Sequence, residues 1–215
     1  MFKRALPMET PERILIVYLK TGGGHITLAQ IIAQKILARG DGAEAVLRNG
    51  FAPGQFFCRS LFETGYHLTS IAARGAYSLY YDINLIPWVL RITTALVNLR
   101  TRYHLRRIVR REGITRIVCL HFALGPGCRF AADRAGRKVP VFVVVTDPFT
   151  AHPSWFLAPD AHYIVFSREL KTHMREKFGI EDARIFPFVL KDEYTRPQET
   201  ESAGGKKGVF SVLVT

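Results

Sequence analysis

Short unbroken apolar runs alternate with amphipathic stretches along most of this chain, a rhythm that predicts strand alternating with helix. Arg13–Leu19 reads as the first strand, and Gly22, Gly23 and Gly24 follow it as a turn. His25–Arg39 reads as a helix with Leu28, Ile31, Ile32, Ile36 and Leu37 on its inner face, ended by Gly40-Asp41-Gly42. Ala43–Asn49 is a second strand. Phe51–Leu85 is aromatic and helical in parts, carrying Phe56, Phe57, Phe62, Tyr66, Tyr77, Tyr80 and Tyr81. Pro87 opens a long basic helix that runs to about Glu112. Arg116–His121 is a strand, Gly127–Arg137 a helix, and Val141–Thr146 a β-branched strand ending at Asp147. After the loop Pro148–Asp160 come a strand at Tyr163–Ser167, a helix at Arg168–Phe178 stopped by Gly179, and a strand at Arg184–Leu190.

Alternation of this kind predicts an α/β fold with a doubly wound, mainly parallel, Rossmann-like sheet over residues 1–190. The polar stretch 191–207, with Pro197, Gly204 and Gly205, reads as a linker. Residues 208–215 then open a new apolar strand, expected to be the first of a second α/β domain.

Composition narrows the function classes. A 48% hydrophobic, 12% aromatic chain of 215 residues has material for a packed core and argues against disorder. Three cysteines, Cys58, Cys119 and Cys128, have neither metal-ligand spacing nor the pattern of a disulfide framework, which suits a reducing cytosol. No apolar run reaches the roughly 18 residues a membrane span needs. The net charge of +12 favours anionic partners, phosphates or an acidic membrane surface among them. Nucleic acid is not expected, because no recognition motif accompanies the charge. Nor is a metal: His67, His104, His162 and His173 share no spacing with a Cys, Asp or Glu cluster.

Candidate chemistry gathers where strands end. In doubly wound sheets ligands lie beyond the carboxyl ends of the strands, so Gly22–His25, His121 and Asp147–Trp155 are expected to share one cleft. Glycines allow close approach to the main chain, and the following helix turns its free N–H groups and positive dipole end toward the gap. His25 at that mouth can take a proton near neutral pH. The plainer reading is a glycine turn with a surface histidine. Asp147 is positioned to orient a histidine or accept a hydroxyl, or simply to brace its loop. His121 either lines the cleft or is a core histidine. Trp155 and Phe156 suit the headgroup layer of a bilayer, or pack their loop onto the core. Arg102, Arg106 and Arg110, with Arg91, Arg100, Arg107 and Arg111, make the long helix basic, while Ile92, Leu96, Leu99 and Tyr103 recur on another side. Such a helix either lies on an anionic leaflet or presents a solvated face.

Several of these residues together carry a resemblance: Thr21-Gly22-Gly23-Gly24-His25 with Ala29, Val145-Thr146-Asp147, and His152-Pro153-Ser154-Trp155-Phe156. The chain resembles the amino-terminal domain of the monogalactosyldiacylglycerol synthases and bacterial diacylglycerol glucosyltransferases, and more distantly the peptidoglycan N-acetylglucosaminyltransferase. The resemblance implies the amino-terminal half of a GT-B fold, the half that takes the lipid acceptor and meets the membrane. It implies transfer of a hexose from a UDP-sugar to diacylglycerol or a similar lipid, with no bound cofactor. His25 and Asp147 are then the catalytic candidates. Gly22, Gly23, Gly24, His121 and His152 line the acceptor and phosphate loops, and Trp155, Phe156, Arg102, Arg106 and Arg110 meet lipid. The expected partners are a lipid acceptor and an anionic membrane surface, with no protein partner, at the cytoplasmic face of the membrane. The competing reading is a non-catalytic α/β module that binds anionic lipid or nucleotide.

Overall fold

The computed structural model describes residues 11–21, 23–65, 79 and 82–187. Gly22, Tyr66, His67, Tyr77, Tyr80 and Tyr81, the expected linker 191–207 and the expected strand 208–215 lie outside the described residues.

Six strands form one parallel sheet: β1 (Arg13–Tyr18), β2 (Glu44–Asn49), β3 (Arg116–Cys119), β4 (Val141–Val144), β5 (His162–Val165) and β6 (Ala183–Ile185). Their spatial order is β2-β1-β3-β4-β5-β6. The central strand β1 is apolar without interruption because both of its faces are covered; Ile14, Leu15, Ile16 and Val17 are all buried. Leu15 stands beside Val46 on one neighbour and Ile117 on the other.

Successive β1 side chains enter two cores. Ile16 packs with Ala29 and Ala33 of helix α1 (Gly24–Leu37) on one face. Leu15 and Val17 face a larger core holding Leu105 and Val109 of α3 (Pro87–Arg111), Cys128 and Ala131 of α4 (Gly125–Asp133), and Leu170 and Met174 of α5 (Arg168–Phe178). Each Leu, Ile, Val or Met among them contributes about 1.5–3 kcal/mol relative to exposure, the alanines less. Helices α3 and α4 approach closely because Gly127 lacks a Cβ; one added there would stand 2.6 Å from Asn98 Oδ1. A buried polar knot fixes the short helix α2 (Phe56–Arg59) to α3. Gln55 Nε2 donates to the Val97 carbonyl at 3.1 Å, and Gln55 Oε1 accepts from Thr101 Oγ1 at 3.1 Å. Helix α2 runs on as one π-helical turn, Ser60–Thr64.

Local signals set the helix ends. Ser167 Oγ accepts from the Leu170 N–H at 3.0 Å, and Gly179 closes α5 at a positive φ of 65°. Some expectations shift. Leu37, expected on the inner face of α1, is exposed, and Ala29, Ile31 and Ala33 are the buried residues there. The helix expected at Gly127–Arg137 starts at Gly125 after a 3-10 turn, Phe122–Leu124, because Pro126 suits a first turn; it ends at Asp133. The strand expected to reach Leu190 stops at Ile185, with 188–190 outside the described residues.

Candidate active site

The chain runs from β1 outward to β2 and then crosses back to β3 on the other side of β1. In a parallel sheet such a reversal is where a crevice opens beyond the carboxyl ends of the flanking strands, here β1 and β3. His25 reaches it from the first turn of α1, and His121 from the end of β3. Their ring centroids are 5.0 Å apart. Helix α1 begins on bare backbone: Gly23 and Gly24 are exposed, no side chain caps the helix, and no acid stands in its first turn. A Cβ on either glycine would meet nothing within 4 Å, so the space before the helix dipole is open. Thr21 is buried just before the glycines, and its Oγ1 has no hydrogen-bond partner among the described residues.

Electrostatics keep both imidazoles neutral. Burial lowers the His25 pKa, with the Leu120 carbonyl opposing it, and its Nδ1 is enclosed without a hydrogen bond of good geometry. The positive end of α1 acts in the same direction as burial. His121 is only 2% exposed; burial first, and the neighbouring His25 second, hold its pKa well below the ordinary value. Its Nδ1 accepts from the Ala123 N–H at 3.2 Å, which assigns the ring proton of neutral His121 to Nε2. Phe122 stacks on this ring at 4.4 Å and Phe62 meets its edge at 6.2 Å. A lining that bars water on these sides sharpens electrostatic interactions at the crevice.

From Phe122 the contacts continue to the loop after β4. Trp155 meets Phe122 edge-on at 5.9 Å, and its Nε1–H donates to Asp147 Oδ2 at 2.8 Å. Trp155 is 2% exposed, so it is a core residue rather than the lipid-facing one expected; its indole finds an apolar pocket and a polar partner inside the fold. Phe156 is likewise packed, against Tyr163 at 5.7 Å and Phe178 at 4.5 Å, so it too turns inward rather than toward lipid. The Asp147 carboxylate takes the indole and a backbone bond from His152, and both lower its pKa; burial outweighs them and raises it. It therefore braces its loop and reaches no histidine ring through a described bond. His152 is buried, with Nδ1 2.7 Å from Ser154 Oγ and accepting the Ser154 N–H at 3.2 Å. Gly23, Gly24 and His25 thus stand at the open end of α1, with His121 packed behind His25 as a buried core histidine rather than a lining residue. His152 is buried too, and the Trp155–Asp147 pair backs this cluster through the contact of Trp155 with Phe122.

The basic helix carries two apolar stripes. Leu90, Val97, Leu105, Ile108 and Val109 are buried against the core. Ile92, Leu96, Leu99 and Tyr103 form the other, and with Trp88 (65% exposed) they stand in the open. Phe56 and Phe57 of α2 are 77% and 79% exposed, and Leu61 is exposed as well. Arg110 is exposed, Arg106 half-buried. Arg102 is committed to the protein, its guanidinium 4.8 Å from the Tyr103 ring and 5.3 Å from that of Phe130. Among the described residues no helix is long and apolar enough to cross a membrane.

Phe62 and Phe122 pack on His121 although the sequence gave neither a site role. Phe62 is one ring of an aromatic stretch and Phe122 adjoins His121, whereas Thr21 opens the motif that carries the resemblance.

Residues 25–190 match the family model described as monogalactosyldiacylglycerol (MGDG) synthase. No curated protein matches the chain. Among solved structures it is similar to Acinetobacter baumannii MurG, with 12% identity and a TM-score of 0.49, over 86% of this chain and 48% of that one. The chain spans about half the length of that protein.

Proposed function

This chain belongs to the monogalactosyldiacylglycerol synthase family, and we propose that it is the acceptor-side half of a membrane-associated, inverting GT-B glycosyltransferase. The donor is a UDP-sugar and the acceptor diacylglycerol or a similar lipid. One observation carries this reading: His25 stands in the crevice between β1 and β3, neutral and beside the open end of α1.

The chemistry follows from that position. A neutral imidazole takes the acceptor hydroxyl proton as the hydroxyl oxygen bonds to the anomeric carbon. The bond from that carbon to the diphosphate breaks, and UDP leaves with the electron pair. The unneutralised α1 terminus favours the negative charge that develops there. His121 cannot compete for the proton, because a buried charge there is costly.

The exposed stripe of α3 and the Phe56, Phe57 and Leu61 face suit an anionic bilayer. Apolar side chains enter the interface while Arg91, Arg100, Arg107 and Arg110 meet phosphates, each adding about 1 kcal/mol near the surface. That surface would hold the protein at the inner leaflet, where the lipid acceptor enters.

The test is glycolipid formation by the chain joined to its native downstream sequence, from UDP-glucose and UDP-galactose on diacylglycerol vesicles. Transfer that falls by a hundredfold or more in His25→Ala is expected, in line with the usual worth of a general base. Full turnover in His25→Ala would overturn the mechanism. Absent transfer with intact vesicle binding would favour the non-catalytic lipid-binding module.

A further inference from the structure

The π-helical turn Ser60–Thr64 does something that neither the mechanism nor the bilayer surface accounts for. Glu63 Oε1 accepts the backbone N–H of Lys20 at 3.1 Å and Asn49 Nδ2 at 2.5 Å. One carboxylate oxygen therefore ties the turn to the loop that follows β1 and to the last residue of β2. Asn49 is itself fixed, its Oδ1 accepting the Phe51 N–H at 2.8 Å. Leu19 and Thr21 anchor the loop by burial, but its hydrogen bonds to other elements are few among the described residues. Among the described residues, Glu63 supplies the hydrogen bond that links Lys20, Thr21 or Gly23 to another element. The Gly23 carbonyl accepts from Thr27 within α1, and Thr21 Oγ1 has no partner among the described residues.

The continuous helical element Phe56–Thr64, α2 and its π turn, faces two ways. Outward it shows Phe56, Phe57 and Leu61. Inward it buries Phe62, whose ring lies 5.8 Å from Phe51 and 6.2 Å from His121. A π turn spaces its residues unlike an α-helix, and such turns recur at functional sites. Here it lets adjacent residues, Phe62 and Glu63, reach the two halves of the crevice at once: the histidine after β3 and the glycine loop after β1.

We propose that Glu63 is a positioning residue: it clamps the loop carrying His25 to the Phe56–Thr64 element, so that seating this element on a bilayer orders the loop. The proposal rests on the lipid-transferase reading for its functional consequence. The clamp itself is independent of that reading. Bilayer contact restrains the outer face of the element, and Glu63 passes the restraint to Lys20 through a charge-assisted bond.

Amide hydrogen exchange in the full-length protein tests this, with and without mixed phosphatidylcholine–phosphatidylglycerol vesicles. Without vesicles, Glu63→Ala is expected to speed exchange at residues 19–25 by about tenfold, the loss of a hydrogen bond to a charged acceptor. Glu63→Gln, which keeps an accepting oxygen, should recover most of the protection. Unchanged exchange in Glu63→Ala overturns the clamp. Wild-type protein alone supplies the second measurement, needing no variant to fold: vesicles should slow exchange at 56–64 and at 19–25 together. Slowing at 56–64 alone refutes the coupling. If vesicles slow neither segment, the bilayer reading fails, and the Glu63→Ala comparison still decides the clamp. In the transferase assay Glu63→Ala should lower kcat with KM for the acceptor little changed, and Glu63→Gln should restore it. A purely structural role would lower the folded fraction and leave kcat per folded molecule unmoved.

Discussion

Replacing Trp155 with phenylalanine separates a buried brace from a lipid anchor. The substitution removes the Nε1 donor that lies 2.8 Å from Asp147 Oδ2 and leaves most of the ring in its 2%-exposed pocket. A hydrogen bond to a charged acceptor is worth about 1.5–3 kcal/mol. Asp147 is half-buried and partly hydrated, so the lower end applies, about 1.5 kcal/mol. The smaller ring leaves a void that adds about 1 kcal/mol at the usual cost of core cavities. Together these lower Tm by roughly 5–10 °C for a domain of this size. The penalty depends on pH with a definite sign. The indole bond lowers the Asp147 pKa, so it stabilises the fold only while the carboxylate is charged. The difference in Tm between variant and wild type is therefore full at pH 7. It shrinks as pH falls through the folded pKa of Asp147, which burial holds above the ordinary 3.8. Thermal unfolding followed by circular dichroism across that range measures it, and a double-mutant cycle with Asp147→Ala isolates the bond. Vesicle affinity should not change. An unaltered Tm with weakened vesicle binding would show that Trp155 meets lipid and would refute the reasoning.

Three further outcomes follow from the same geometry. The lowered pKa values of His25 and His121 mean that the unfolded chain binds more protons than the folded one below about pH 6.5. Stability is then full above that pH and declines as pH falls toward the folded values; His121→Gln should flatten the decline in Tm measured between pH 7.5 and 5.5. Gly127→Ala sets a methyl 2.6 Å from Asn98 Oδ1 and 3.0 Å from Thr101 Cγ2, and should destabilise by about 1–3 kcal/mol in urea unfolding. The double substitution Phe56→Ser with Phe57→Ser alters only exposed rings. It should leave stability within about 0.5 kcal/mol and weaken sedimentation with phosphatidylglycerol vesicles by tenfold or more.

Much of the architecture is legible in the sequence. The run Ile14–Val17 is apolar on consecutive residues and stops at a glycine turn, as a short strand covered on both faces does. Glycine at 179 and serine at 167 bound α5 by chemistry confined to one turn. The meeting of His25 and His121 was also foreseeable, because in a doubly wound sheet both lie beyond strands that flank the crossing point.

Other features depended on neighbours far away in the chain. The loop His152–Phe156 has the same letters whether its rings face lipid or core. Phe122, Tyr163 and Phe178 decide for the core by offering rings to pack on and Asp147 to bond. Helix α3 carries two apolar stripes of similar strength, and α4 decides which is buried by presenting Gly127 against Asn98 and Thr101. Glu63 is one carboxylate among aromatic residues, with nothing in its sequence neighbourhood to mark it; its partners lie at 20 and 49. Strand, helix and turn arise from interactions within a few residues, so the chain writes them openly. Burial and hydrogen-bond partnership arise between segments that only the assembled sheet brings into contact.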